Sequence, residues 1–236
     1  MKFTKRIFLI LIACAITTNI CAIQFRHLSI KDGLSQLSVL SIYQDKLGRM
    51  WFGTEEGINV FDGNNLTAIK TLRNIPPQNL EVRWICGDEK GNIYFQLGTS
   101  IVCIDFATQS NTVLVKKGVT TLCHHSGKIY YASRGSVYIY NIAKQSTHCM
   151  GQLTKDNIKV LHIDSRGTLW FGTHNGLFYF NKKTRRTTLS IKGAYVEYIY
   201  EDTKGNIWVS SRDKGCYRIS PKGSCTHYYI DDDTAK

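Results

Sequence analysis

The chain has 236 residues, 43% hydrophobic and 11% aromatic, with three prolines and no low-complexity tract, which excludes a disordered or Pro-rich linker protein and allows a sizeable core. Its formal charge is +12, but the basic residues are scattered through turns such as Lys116-Lys117, Lys182-Lys183 and Arg185-Arg186, so no nucleic-acid partner is expected. Eight cysteines without a Cys-x-x-Cys spacing exclude a zinc finger.

In chain order, Lys2, Lys5 and Arg6 precede an apolar run over residues 7–16, and Ala22 offers a small residue for cleavage. That run is too short to span a bilayer and has the form of a secretory signal over residues 1–22. The series Leu11-Ile12-Ala13-Cys14 gives an alternative cut that would leave a lipid anchor on Cys14. No later segment reaches the length of a membrane span. An exported, periplasmic location is expected, with oxidation permitted between Cys216 and Cys225 on neighbouring strands. Cys86 and Cys123 read as buried free thiols.

Residues 23–30 read as an outer β-strand and resemble the end of the chain at residues 226–233. The acidic run Asp231-Asp232-Asp233 reads as a solvated terminus. Between these ends lies a repeat. Val39-Leu-Ser-Ile-Tyr-Gln-Asp45 is followed by Gly48, Trp51-Phe-Gly-Thr54 and Gly57-Ile-Asn-Val-Phe-Asp62. The series returns from Ile158 to Asn181 and from Val196 to Ser220, with weaker copies at residues 82–105 and 119–141. The turn glycines Gly48, Gly91, Gly127, Gly167 and Gly205 keep a spacing of 36 to 43 residues.

Each part of the unit has a physical role. The opening Val/Ile/Tyr-rich segment predicts a buried strand. Asp with Gly three residues later predicts a tight turn, where the carboxylate takes backbone N–H groups and Gly accepts positive φ. Trp51, Trp170 and Trp208 recur at one position and read as packing residues of a second strand. A third and a more polar fourth strand complete a four-stranded antiparallel sheet that cannot stand alone. The predicted fold is all-β, a β-propeller of five repeats, either incomplete or five-bladed, after the signal segment. The predicted blades cover residues 38–73, 81–115, 118–150, 157–191 and 195–231. The strand at residues 23–30 finds no vacant place among them, which points to further blades; a five-bladed ring with a spare strand is the other reading.

Sites are sought where the repeats disagree. The repeated Asp45, Asp88, Asp164 and Asp202 are explained by turns, so no catalytic residue is assigned, and His124-His125 has no evident further ligands for a metal. The turn between second and third strands varies in charge, with Glu55, Glu56, Arg134, His174, Asn175, Arg212 and Asp213. Arg83, Lys159 and Glu197 vary near the start of the first strand, and Trp84 replaces smaller residues there. An aromatic with Arg, His and Glu suits carbohydrate recognition by stacking and hydrogen bonding. The candidate ligand-binding set is Glu55, Glu56, Arg83, Trp84, Arg134, His174, Asn175, Arg212 and Asp213, with no cofactor and no metal.

The pattern Asp-x-x-Gly-x-Leu-Trp-Phe-Gly-Thr-x-x-Gly-Leu at residues 164–177, with Asp32-Gly-Leu-Ser-Gln-Leu-Ser-Val39, resembles the two-component regulator propeller repeat. The resemblance covers roughly residues 25 to 233. It implies the periplasmic sensor region of a Bacteroidetes hybrid two-component regulator, a non-enzymatic module that responds to an oligosaccharide ligand. Such regulators carry two seven-bladed propellers and a kinase. Here there are fewer repeats and no kinase segment, so an N-terminal fragment is expected, partnered by a downstream sensor polypeptide or a second propeller chain. A stand-alone protein-interaction propeller is the alternative, and a glycoside-active enzyme a third reading.

Overall fold

A computed structural model describes residues 25–69, 80–105, 107, 108 and 110–229. The predicted signal, the anchor at Cys14 and the acidic run at residues 231–233 lie outside the described residues. Five four-stranded antiparallel sheets make up the fold, each in sequence order from the inside outwards. Blade 1 holds β1 (Val39–Gln44), β2 (Met50–Thr54), β3 (Gly57–Phe61) and β4 (Leu66–Ala68). Blade 2 holds β5 (Ile85–Gly87), β6 (Ile93–Leu97), β7 (Ser100–Ile104) and β8 (Asn111–Val115). Blade 3 holds β9 (Thr121–His125), β10 (Lys128–Ser133), β11 (Ser136–Asn141) and β12 (Ser146–Gln152). Blade 4 holds β13 (Val160–Ile163), β14 (Leu169–Thr173), β15 (Gly176–Asn181) and β16 (Arg186–Lys192). Blade 5 holds β17 (Val196–Glu201), β18 (Ile207–Ser211), β19 (Gly215–Ile219) and β20 (Cys225–Tyr228). The inner strands β1, β5, β9, β13 and β17 meet in that order around one axis. The result is a five-bladed β-propeller.

The Asp turn and the Trp are parts of one device. In blade 4, Asp164 Oδ1 accepts the N–H groups of Arg166 and Thr168 at 3.1 and 2.7 Å, while Oδ2 accepts the Trp170 indole N–H at 3.0 Å. Blade 1 repeats this with Asp45 and Trp51 at 2.9 Å, and blade 5 with Asp202 and Trp208 at 2.9 Å. In blade 2 the Tyr94 hydroxyl donates to Asp88 at 2.9 Å. A turn between first and second strands is thereby tied to a large ring on the second strand, six residues on. Gly167 closes the turn at φ +77 with its N–H on the Asp164 carbonyl, a conformation that L side chains resist. Blade 3 lacks the Asp: His125 stands there, and Ser126 and Gly127 at φ 48 and 69 make a two-residue hairpin turn of the primed kind.

Neighbouring blades are joined by core clusters. Trp51 and Ile58 of blade 1 pack with Val82, Ile93 and Phe95 of blade 2. Tyr94 and Ile101 meet Val119, Leu122 and Ile129 of blade 3. Tyr130 and Val137 meet Ile158, Leu161 and Phe171 of blade 4. Trp170, Val160 and Leu177 meet Val196, Ile199 and Val209 of blade 5. The packing is close: a Cβ on Gly172 would stand 2.4 Å from Val196 Cγ1.

Several expectations need adjusting. Residues 25–29 pair with no strand among the described residues; the segment leads into a 3-10 turn at Ile30–Asp32, held by the Ser29 and Asp32 side chains. Trp208, expected in the core like its counterparts, is only half-buried. The first strand of blade 2 starts at Ile85, not at Val82. Cys216 lies opposite Tyr228 and Cys225 opposite Ile219, so the two thiols point to opposite faces of the sheet and both are free.

Candidate functional site

The inner strands leave a cavity of about 860 Å³ at one end of the axis, lined by residues from all five blades. Its wall is assembled from the starts of the inner strands and the turns between second and third strands. Blade 1 contributes Ser41 and Ile42, blade 2 Glu81, Arg83 and Trp84, blade 3 Thr120, blade 4 Lys159, and blade 5 Tyr195, Glu197, Tyr198 and Arg212. The second repeat position lies outside the regular pairing: in blades 1 and 5 the register shifts between Val39 and Ser41 and between Val196 and Tyr198, and Arg83 and Lys159 precede β5 and β13. The charged second positions Arg83, Lys159 and Glu197 are accordingly exposed.

Two aromatic rings form the apolar part of the site. Trp84 and Tyr198 lie parallel, with centroids 6.1 Å apart and an interplanar angle of 6°. They come from blades 2 and 5 and span the ring interior. Burial raises the Tyr198 hydroxyl above its ordinary pKa, with Tyr200 adding to the shift, so it stays a neutral donor at neutral pH.

The polar groups are mostly held in pairs. Arg83 pairs with Glu81. Arg212 Nε donates to Glu197 Oε1 at 2.6 Å and its guanidinium stacks 4.4 Å from the Tyr195 ring centroid. Lys159 has no carboxylate paired with it among the described residues. Gln96 stands where blades 1 and 4 have Gly53 and Gly172; its Nε2 donates to the carbonyls of Gly98 and Val119 at 2.7 and 3.1 Å, while its buried Oε1 has no hydrogen-bond partner among the described residues.

Three of the nine sequence-predicted residues, Arg83, Trp84 and Arg212, come together on this wall. Glu55, Glu56, Arg134, His174, Asn175 and Asp213 do not line the cavity. Several of them tie their turns to the segment leading into the same blade: Asp213 accepts the Tyr195 N–H at 3.1 Å and the Ser211 hydroxyl at 2.6 Å, and its pKa falls through those bonds. Asn175 donates to Asp156 at 3.0 Å, and Glu55 accepts from Gln36 at 3.1 Å. Sequence reasoning missed Glu81, Gln96, Tyr195 and Tyr198. Tyr198 had a usable signal, since it occupies the same repeat position as Trp84. Glu81 and Tyr195 open their predicted blades but stand one residue before the repeated series, which begins at Val82 and Val196. Among the described residues no group of three or more His, Cys, Asp or Glu side chains is placed to hold a metal ion.

Comparison with known proteins accords with this architecture. The family described as two component regulator propeller matches residues 33–56, 152–175 and 190–213, which are the linkers and first two strands of blades 1, 4 and 5. A histidine kinase P4 of Formosa agariphila is 43% identical over 58 residues, 25% of this chain and 4% of that protein. Among solved structures, the extracellular domain of a putative hybrid two component system from B. thetaiotaomicron is similar at 20% identity and a TM-score of 0.54, over 87% of this chain and 37% of that one. A putative one component system from the same organism gives 15% identity and a TM-score of 0.69, over 82% of this chain and 28% of that one. Streptogramin B lyase gives 16% identity and a TM-score of 0.70, over 84% of this chain and 72% of that one. The chain thus spans only 28% to 37% of the extracellular domains it matches. These structural likenesses show the fold, which sensors and an enzyme share. Among the described residues no helix is long and apolar enough to cross a membrane.

Proposed function

We propose that this chain, three segments of which match the two component regulator propeller family, is the ligand-binding part of an exported two-component sensor and that it takes an oligosaccharide in the axial cavity. The observation that carries this reading is the parallel Trp84–Tyr198 pair beside the arginine–glutamate pairs of Arg83 and Arg212. Flat aromatic rings stack on the C–H faces of sugars, and paired charged groups offer fixed donors and acceptors to hydroxyls. The volume falls within the range of about 300–1,000 Å³ common for small-molecule sites, room for a few sugar rings.

A binding role is favoured over catalysis by how the carboxylates are used. Asp45, Asp88, Asp164 and Asp202 are each committed to a turn. Glu81 and Glu197, the two at the cavity, are each paired with an arginine. Glycoside hydrolysis needs two carboxyl groups free to flank one glycosidic bond.

Titration of the full chain with oligosaccharides from digested polysaccharides, followed by tryptophan fluorescence and calorimetry, tests the reading. Binding is expected, and Trp84→Ala should weaken it at least tenfold while Trp51, buried elsewhere, reports an intact fold. Failure of the whole panel to bind, or equal binding by Trp84→Ala, would sink it.

A further inference from the structure

The second repeat position reads Leu40, Arg83, Thr120, Lys159 and Glu197 in blades 1 to 5, and all five residues line the axial cavity. One blade thus supplies an apolar group, one a hydroxyl and three a charge. Arg83 and Glu197 immediately precede the stacked rings Trp84 and Tyr198 in the chain, so this circle of charges borders the aromatic pair.

The charges do not balance. Three basic and two acidic side chains line the cavity, Arg83, Lys159 and Arg212 against Glu81 and Glu197. Each acid is already committed, Glu81 to Arg83 and Glu197 to Arg212, whose Nε donates to it at 2.6 Å. Lys159 is left over. The acid at the next place in the ring is Glu197, on the adjoining inner strand β17, but Arg212 holds it, and no carboxylate pairs with the Lys159 ammonium among the described residues.

The backbone that carries this charge is pinned. The Lys159 N–H donates to the Gly172 carbonyl at 2.8 Å. Ile158 before it is fully buried, and its carbonyl accepts the Thr120 hydroxyl at 2.8 Å. The exposed side chain is thereby tethered to one sector of the rim, between Thr120 and Glu197. A ligand seated on the aromatic pair displaces water from that rim. A neutral ligand leaves Lys159 with less hydration and no counter-charge, which costs free energy. An anionic group turns the same burial into a charge-assisted hydrogen bond. A cationic ligand is disfavoured twice, since it meets Lys159 and finds both carboxylates occupied.

We infer that the ligand of the axial cavity is an acidic oligosaccharide, a conclusion that rests on the oligosaccharide reading above and narrows it to one charge class. A carboxylate or sulfate ester on one sugar ring pairs with Lys159 while the sugar stacks on the aromatic pair. Lys159 is the specificity-determining residue of the site.

Calorimetric titration of the full chain tests this with neutral oligosaccharides, uronic-acid tetramers, the same tetramers methyl-esterified, and sulfated galactose tetramers beside unsulfated ones. The ester removes the charge and keeps the chain, and the sulfated probe separates the two sources of negative charge. At least one acidic probe is expected to bind about tenfold more tightly than its uncharged counterpart. That preference should shrink as sodium chloride rises from about 0.05 to about 0.5 M. Lys159→Gln should bring the acidic probe and its counterpart to within about twofold of each other, with binding of the uncharged one unchanged, and Lys159→Arg should keep the preference. An unchanged melting temperature in both variants reports an intact fold. If charged and uncharged probes bind alike, or if the preference survives Lys159→Gln, the inference is overturned while the oligosaccharide reading stands. If no probe of either kind binds, that reading falls and the inference falls with it.

Discussion

Blades 4 and 5 are built on nearly the same sequence plan yet end in different environments. Asp164 and Trp170 are sealed beneath blade 5, at 0% and 6% exposure, whereas Asp202 and Trp208 make the same hydrogen bond at a half-open face. The comparison separates two things that a repeat normally confounds. The local device, carboxylate to turn to indole, forms from sequence within one blade. Burial of that device belongs to the neighbour. The energy of a propeller therefore resides in its seams, as expected for quasi-one-dimensional repeat proteins.

The largest effect that tests this contrast is removal of the ring. Trp170→Ala should cost about 3–5 kcal/mol, and Trp208→Ala roughly half of that or less, because one side of its ring already meets solvent. Urea unfolding of the two variants compares them; equal losses would break the contrast. Close packing gives a second, smaller test. Gly172 and Ser210 hold the same repeat position, but a Cβ at Gly172 meets Val196 and Val160 at 2.4 and 2.7 Å. Gly172→Ala should cost about 1–3 kcal/mol through overpacking, while Ser210→Ala should stay within about 0.5 kcal/mol.

Acid sensitivity sharpens the contrast further, because the titrating histidines lie in the covered seams. Burial lowers the pKa of His124 and of His162 below 6.5. Glu89 and Asp88 pull His124 the other way, and Glu201 and Asp164 do the same for His162, without reversing the shift; His125 adds to the lowering of both. A lowered folded pKa means that the unfolded chain binds protons first, so stability is full above about pH 6.5 and falls as pH drops below it. The turn carboxylates act lower. Burial pushes Asp164 up, but the bonds from Trp170 and Thr168 outweigh it and its pKa falls. The Trp208 and Asn206 bonds hold Asp202 well below the carboxylate range. Their contribution is present above about pH 4 and lost beneath it. Thermal melts should thus decline in two stages, and His124→Gln with His162→Gln should remove the first. A single decline below pH 4 in the parent chain would contradict this.

How far the sequence speaks depends on whether a feature is local. The blades are legible because Asp-to-Gly and Asp-to-Trp offsets are fixed by hydrogen bonds within six residues. The indole-to-carboxylate bond itself was not foreseen, although both partners were singled out for other reasons. The site is half legible. Trp84 stands out against its repeat, but Tyr198 at the equivalent position in blade 5 passes as an ordinary strand tyrosine, and Glu81 and Tyr195 reach the cavity from just before the repeated series begins. Arg134, His174 and Asn175 vary as a binding face would, yet they do not line the cavity. The open face of blade 5 is not legible at all, since Trp208 carries the same local signature as Trp170.

The exchange of the indole protons tests the central contrast most directly. In the ¹⁵N-labelled full chain, Trp51 and Trp170 should exchange their Nε1 protons slowly and together, at the rate of global opening, and Trp208 at least a hundredfold faster despite its bond to Asp202. Slow exchange of all three at one rate would show that the fifth seam is sealed and that blades 4 and 5 share one environment.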